Sequence, residues 1–115
     1  MIRKTVKLES LEFYKKHLGI INNLLPVSLG KKELEVLATF LHLPEEITKE
    51  DMFNSLARKK VREILKLSPA ALSNHLSSII SKGFVVKLNG KITPKHFLVP
   101  NNDKQEYYFK LINKK

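Results

Sequence analysis

Residues 59–86 read KKVREILKLSPAALSNHLSSIISKGFVV and constrain the fold more than any other stretch. A basic segment carries apolar residues at helical spacing, and Leu67-Ser68-Pro69 then breaks it. A second helical segment follows, with Leu72, Leu76 and Ile79 at i, i+4 and i+7. Ser68 suits an N-cap, and Pro69 suits the first helical position, where its missing N–H costs nothing. Gly83 suits a left-handed C-cap, and the β-branched run that follows predicts a strand over 84–88.

Charge is concentrated on the same stretch. From Arg58 to Lys95 there are nine Lys/Arg against one acid, Glu63, a balance of +8 in a chain of net charge +10. Positive charge gathered around a helix pair and a strand implies a polyanionic partner, with duplex DNA the first expectation.

The rest of the chain completes the frame. Its 115 residues suit one domain with a modest core, and 43% hydrophobic residues are enough to fold it. Leu11, Tyr14, Leu18, Ile21 and Leu25 predict an amphipathic helix that Ser10 caps and Pro26 ends. Residues 2–8 read as a short strand or arm. Leu34, Leu37, Ala38 and Leu41 predict a helix over 31–43 that Pro44 closes. Thr48 with Asp51 suggests a short helical turn, and Asn54 or Ser55 caps a helix reaching about Lys66, with Val61, Ile64 and Leu65 inward. Asn89-Gly90 is a strong hairpin signal. The return strand is harder to place, because Ile92-Thr93-Pro94 interrupts pairing; 97–99 offers another extended piece. Glu106 to Ile112 predicts a final strand, with Tyr107 and Phe109 on one face and Tyr108 on the other. The expected class is mainly α with a small antiparallel sheet (α+β), organised as a helix-turn-helix with a wing. Residues 1–28 supply an arm and a packing or oligomerisation helix, and 29–115 the winged domain.

In a helix that enters the major groove, the outward side chains meet base edges. Here they are Ala70, Ala71, Ser73, Asn74, Ser77 and Ser78. Asn74 suits adenine, and the serines suit bases or phosphates. Arg58, Lys59, Lys60 and Arg62 on the preceding helix, Ser68 and Lys82 at the ends of this one, and Lys87, Lys91 and Lys95 on the wing are the expected phosphate contacts. One feature opposes strong base specificity: from Pro69 to Ser81 there is no Arg, Lys or Gln. The commonest specific contact, Arg or Lys on guanine, is therefore open only to Lys82.

The segment Leu29-Gly-Lys-Lys-Glu-Leu-Glu-Val-Leu resembles the opening helix of many winged helix-turn-helix domains. Residues 59–85 look like their core motif, through Val61, Leu65, Leu67, Ser68, Leu72, Leu76, Gly83 and Val85. Residues 90–102 resemble the wing of small phage-encoded winged-helix proteins and plasmid replication regulators. The resemblance covers about residues 29–112. It implies a DNA-binding regulator, often dimeric, or a fold unit of a virion or replication complex. The cation-free second helix departs from the regulator pattern, and no effector module is evident.

Other chemistries find little support. His17, His42, His75 and His96 lie on different elements, there is no cysteine, and no metal or other cofactor is expected. Glu45, Glu46, Glu50 and Asp51 face no nucleophile or base, and the four glycines form no phosphate loop, so neither an enzyme nor a small-molecule site is expected. No apolar run approaches a membrane span, and the expected setting is the cytoplasm of a bacterial or phage-infected cell, or a virion. The first helix is broadly apolar, and Phe13, Ile20 and Leu24 are candidates for an oligomer interface. The competing expectation is accordingly a structural or adaptor subunit of a larger assembly such as a phage particle.

Overall fold

A computed structural model describes residues 5, 7–95, 98–100, 105–108 and 112–113. The described residues form five helices and a two-stranded antiparallel sheet. In chain order these are α1 (Ser10–Asn22), α2 (Lys31–His42), α3 (Glu45–Thr48), α4 (Ser55–Leu65), α5 (Pro69–Ser81), β1 (Val85–Leu88) and β2 (Lys91–Pro94). The class is mainly α with a small antiparallel sheet, as the sequence predicts.

Helix α2 is the centre of the molecule. Val36, Leu37, Ala38 and Phe40 are all fully buried, so the helix is covered on several sides rather than along one stripe. Helices α1, α4 and α5 pack around it. Helix α1 offers Leu18, with Tyr14, Ile21 and Leu25 partly buried beside it. Helix α4 offers Ala57 and Val61, and α5 offers Leu72, Leu76 and Ile79. Phe84, Val85, Ile92 and Leu98 close the core from the sheet side.

Local chemistry sets the element boundaries. Helix α1 starts one residue early: Glu9 holds the cap position, while Ser10 Oγ lies 2.8 Å from His42 Nδ1. It ends at Asn22 rather than Leu25, because Asn22 Oδ1 accepts the Leu29 N–H at 2.7 Å and its Nδ2 donates to the Leu29 carbonyl at 3.0 Å. That pair of hydrogen bonds turns the chain toward α2. Asn54 caps α4 by accepting the Ala57 N–H at 2.9 Å, and its Nδ2 donates to the Ile47 and Asp51 carbonyls. Ile64, predicted inward, is 44% exposed, because the core-facing line of α4 runs through Ala57 and Val61.

The hairpin corrects the predicted break at Ile92-Thr93-Pro94. Strand β2 is this very segment, paired Val85↔Pro94, Val86↔Thr93, Lys87↔Ile92 and Leu88↔Lys91. The Lys95 N–H donates to the Phe84 carbonyl at 3.1 Å, so hydrogen-bonded pairs fall at 84/95 and, in alternation, at 86/93 and 88/91. Pro94 falls between them, where no ladder N–H is required. Asn89 and Gly90 both have positive φ (53° and 78°), the type I′ geometry their sequence favours.

The predicted final strand over Glu106 to Ile112 is not formed by the described residues 105–108, and Phe109 lies outside those described. The outer edge of β2 is already engaged: the Met52 N–H donates to the Ile92 carbonyl at 2.8 Å, and Asp51 Oδ1 accepts the Ile92 N–H at 3.2 Å. Residues 98–100 also carry no strand, and Phe97 lies outside the described residues, as does most of the predicted arm at 2–8.

Candidate nucleic-acid interface

The turn between α4 and α5 is built from backbone hydrogen bonds. Lys66 adopts the left-handed conformation (φ 56°), and both its N–H and that of Leu67 donate to the Arg62 carbonyl. Ser68 then caps α5, its Oγ accepting the Ala71 N–H at 3.1 Å, with Pro69 at the first helical position. At the far end, the Gly83 and Phe84 N–H groups donate to the Ile80 and Ile79 carbonyls, and Gly83 takes φ 82°. Helix α5 is thus fixed at both ends and packed on α2, α4 and β1.

Burial divides the predicted base-facing residues. Ala70, Ser73, Asn74 and Ser77 are exposed and, at i, i+3, i+4 and i+7, share one face. Ala71 and Ser78 are half-buried and lie off it. Ser78 is turned to α2, where its hydroxyl hydrogen-bonds the Glu33 carboxylate.

The predicted phosphate contacts divide as well. Lys59, Lys87 and Lys95 are exposed, Lys60 and Arg62 are half-exposed, and none of the five enters an ion pair among the described residues. Ser68 is exposed but its hydroxyl oxygen serves the cap. Arg58 is exposed, yet its Nε donates to the Phe53 carbonyl at 2.7 Å, which holds the side chain back along α4. Lys91 reaches Glu50 at 3.6 Å in a pair open to solvent. Lys82, expected at a phosphate, is engaged within the fold. Its Nζ lies 2.6 Å from Glu33 Oε1 and 3.1 Å from the Ser28 carbonyl, so it is an internal tie between α5 and α2. Helical spacing explains this: Ser78 and Lys82, four residues apart, meet the same carboxylate.

Among the described residues, Glu33 is the acid whose pKa is moved furthest. Burial pushes its carboxyl up, but hydrogen bonds from Lys82, Ser78 and the Gly30 N–H, with the Lys82 charge, outweigh this and hold it at about 2. The signal in the sequence was Gly30-x-x-Glu33, a carboxylate three residues into a helix that can bond back to the cap N–H. Its second partner, 49 residues away, carried no such signal.

Away from this face, His17 is 3% exposed. Its Nε2 lies 3.0 Å from the Leu98 carbonyl and its Nδ1 bonds the Tyr107 hydroxyl. A neutral ring satisfies both, with Nε2–H donating and Nδ1 accepting. Burial lowers the His17 pKa, and the Leu98 carbonyl opposes that shift; burial raises the Tyr107 pKa. Of the candidate interface residues, Phe13 and Ile20 are half-buried, while Leu24 is 64% exposed just after α1. No helix among the described residues is long and apolar enough to cross a membrane.

The chain matches no protein-family model, no curated protein and no solved structure.

Proposed function

We propose that this chain is a non-enzymatic duplex DNA-binding protein of winged helix-turn-helix type, with α5 as its groove-facing helix. The observation that carries the reading is the solvent-open line Ala70, Ser73, Asn74 and Ser77, on a helix against which two cation-bearing elements pack. Helix α4 brings Lys59, Lys60 and Arg62, and the hairpin brings Lys87 and Lys91, with Lys95 directly after it. Small side chains let a helix approach base edges closely, while the cations beside it grip the phosphates. The element order supports the same reading: three helices around α2, then a hairpin anchored at its outer edge by residues 51–52.

Such binding releases counterions, so log affinity falls linearly with log salt, by roughly 0.9 per phosphate neutralised. Fluorescence anisotropy on a labelled 20-bp duplex between low and physiological salt tests this. A steep decline supports the proposal. Absent binding at low salt, or an affinity flat with salt, defeats it.

A second reading, a subunit of a larger protein assembly, draws on Leu24 and Val27, both exposed in the loop after α1. Light scattering of the isolated protein separates the two. A monomer that binds duplex tightly removes the assembly reading.

A further inference from the structure

A groove-facing helix distinguishes base pairs through the few groups it can offer. Guanine is usually read by a cation that reaches O6 and N7 together. Helix α5 carries no cation from Pro69 to Ser81. Lys82, at its end, is held at 2.6 Å by Glu33 and at 3.1 Å by the Ser28 carbonyl, on the side turned toward α2. Freeing it would leave the Glu33 carboxylate, buried at 9% exposure, without its cation. The one cation at the end of α5 is therefore engaged within the fold rather than offered to a guanine.

What remains on the open face is one carboxamide among small side chains. Asn74 is exposed, and its amide makes no hydrogen bond among the described residues. The contrast with two other asparagines is informative: Asn22 and Asn54 each spend oxygen and nitrogen on nearby backbone. A free carboxamide presents one donor and one acceptor side by side, which matches adenine N7 and N6 in the major groove. Ala70 stands one turn before Asn74 on the same face and offers only a methyl group, the surface that packs on the thymine C5 methyl. Ser73 and Ser77 accept either base and do not discriminate.

We propose that α5 selects A·T base pairs, with Asn74 bidentate on an adenine and Ala70 against a thymine methyl. This rests on the reading of α5 as the DNA-facing helix. Selectivity follows from what the face holds and from what Glu33 has withdrawn from it.

The test compares binding of the intact protein to 20-bp duplex pools, one built only of A·T pairs and one only of G·C pairs, by anisotropy at a fixed low salt. The A·T pool should bind tighter by roughly fivefold to a hundredfold, the range of one good bidentate contact. Replacing adenine throughout by 7-deazaadenine removes N7 from the major groove and leaves the minor groove unchanged, so the part of the preference that Asn74 carries should vanish and only the small remainder due to the thymine methyl should persist. Asn74→Ala should lower affinity for the A·T pool and cut the preference to the same small remainder; its exposed position leaves the core intact. Equal affinity for the two pools overturns the inference and leaves DNA binding standing. A preference left at full strength by 7-deazaadenine or by Asn74→Ala overturns it too, since Asn74 would then not be reading adenine N7. Failure to bind either pool defeats the DNA reading itself, and this inference with it.

Discussion

Lys82 Nζ sits 2.6 Å from Glu33 Oε1, a contact that joins the end of α5 to the first turn of α2 across 49 residues of chain. Both side chains are largely withdrawn from water, at 29% and 12% exposure. The pair fixes how α5 lies on the central helix. It also takes from α5 the one cation available at its end, so the same bond shapes stability and the chemistry of the exposed face.

The pair predicts a specific acid response. Glu33 is held at about 2 in the fold against 4.5 as a free side chain. A group whose folded pKa is depressed contributes stability that is complete above its unfolded value. That contribution is therefore present above pH 4.5 and is lost as pH falls from 4.5 toward 2. Discounted for the solvent still reaching the pair, it amounts to roughly 1–2 kcal/mol. Urea unfolding between pH 6 and pH 2.5 should show this loss, and Glu33→Gln should remove most of it while lowering stability at pH 6.

His17 predicts a separate response at higher pH. Burial first, opposed by the Leu98 carbonyl, keeps its pKa below 6.5. The folded state thus favours the neutral ring, and stability is complete above pH 6.5 and declines as pH falls below it. Protonation would charge a buried ring and abolish the Nδ1 acceptor that receives the Tyr107 hydroxyl. The urea midpoint should already fall between pH 7.5 and pH 5.5, before Glu33 begins to titrate. His17→Phe should flatten that window, at a cost of about 1–3 kcal/mol for the Leu98 carbonyl left without its buried donor. An unchanged slope in the variant would exclude His17 as the source.

The helices were legible in the sequence because each carries its own period and its own stop. The stripe Leu72, Leu76 and Ile79, the cap at Ser68 and the exit at Gly83 all act within one or two turns, and all appear as read. What escaped was non-local. Pro94 looked like a strand breaker because only the partner strand reveals that it falls between ladder bonds. Tyr107 read as a strand residue by alternation, although its hydroxyl is spent on His17, 90 residues away. In the candidate interface, the open line Ala70, Ser73, Asn74 and Ser77 followed from helical spacing. The withdrawal of Ser78 and Lys82 did not, because it depends on where α2 places Glu33.

The left-handed Lys66 predicts a lever on the turn itself. A non-glycine residue in this region costs roughly 1–2 kcal/mol, and Lys66 holds it at φ 56° to end α4. Lys66→Gly should leave stability unchanged or raise it by up to about 1 kcal/mol, since relief of strain competes with the greater freedom of the unfolded chain. Lys66→Val should lower it by about 1–2 kcal/mol, because branching at Cβ is least tolerated there. Thermal unfolding of the two variants decides the matter.

Arg58 and Lys59 are adjacent cations on α4 with different duties, and separating them refines the DNA prediction. Arg58 Nε donates to the Phe53 carbonyl at 2.7 Å and so holds the entry to its own helix, whereas Lys59 is exposed and unpaired among the described residues. Arg58→Ala should cost stability, by about 1 kcal/mol for a charge-assisted bond. Lys59→Ala should leave unfolding within about 0.5 kcal/mol of the parent, as surface changes usually do. Changing Lys59, Lys60 and Arg62 together to Ala should weaken binding to every duplex alike and reduce the salt slope by as much as about 0.9 for each phosphate no longer neutralised. If the slope stays at the parent value in a variant shown by denaturation to be folded, α4 does not face the phosphates, and the cations of the hairpin must carry any binding alone.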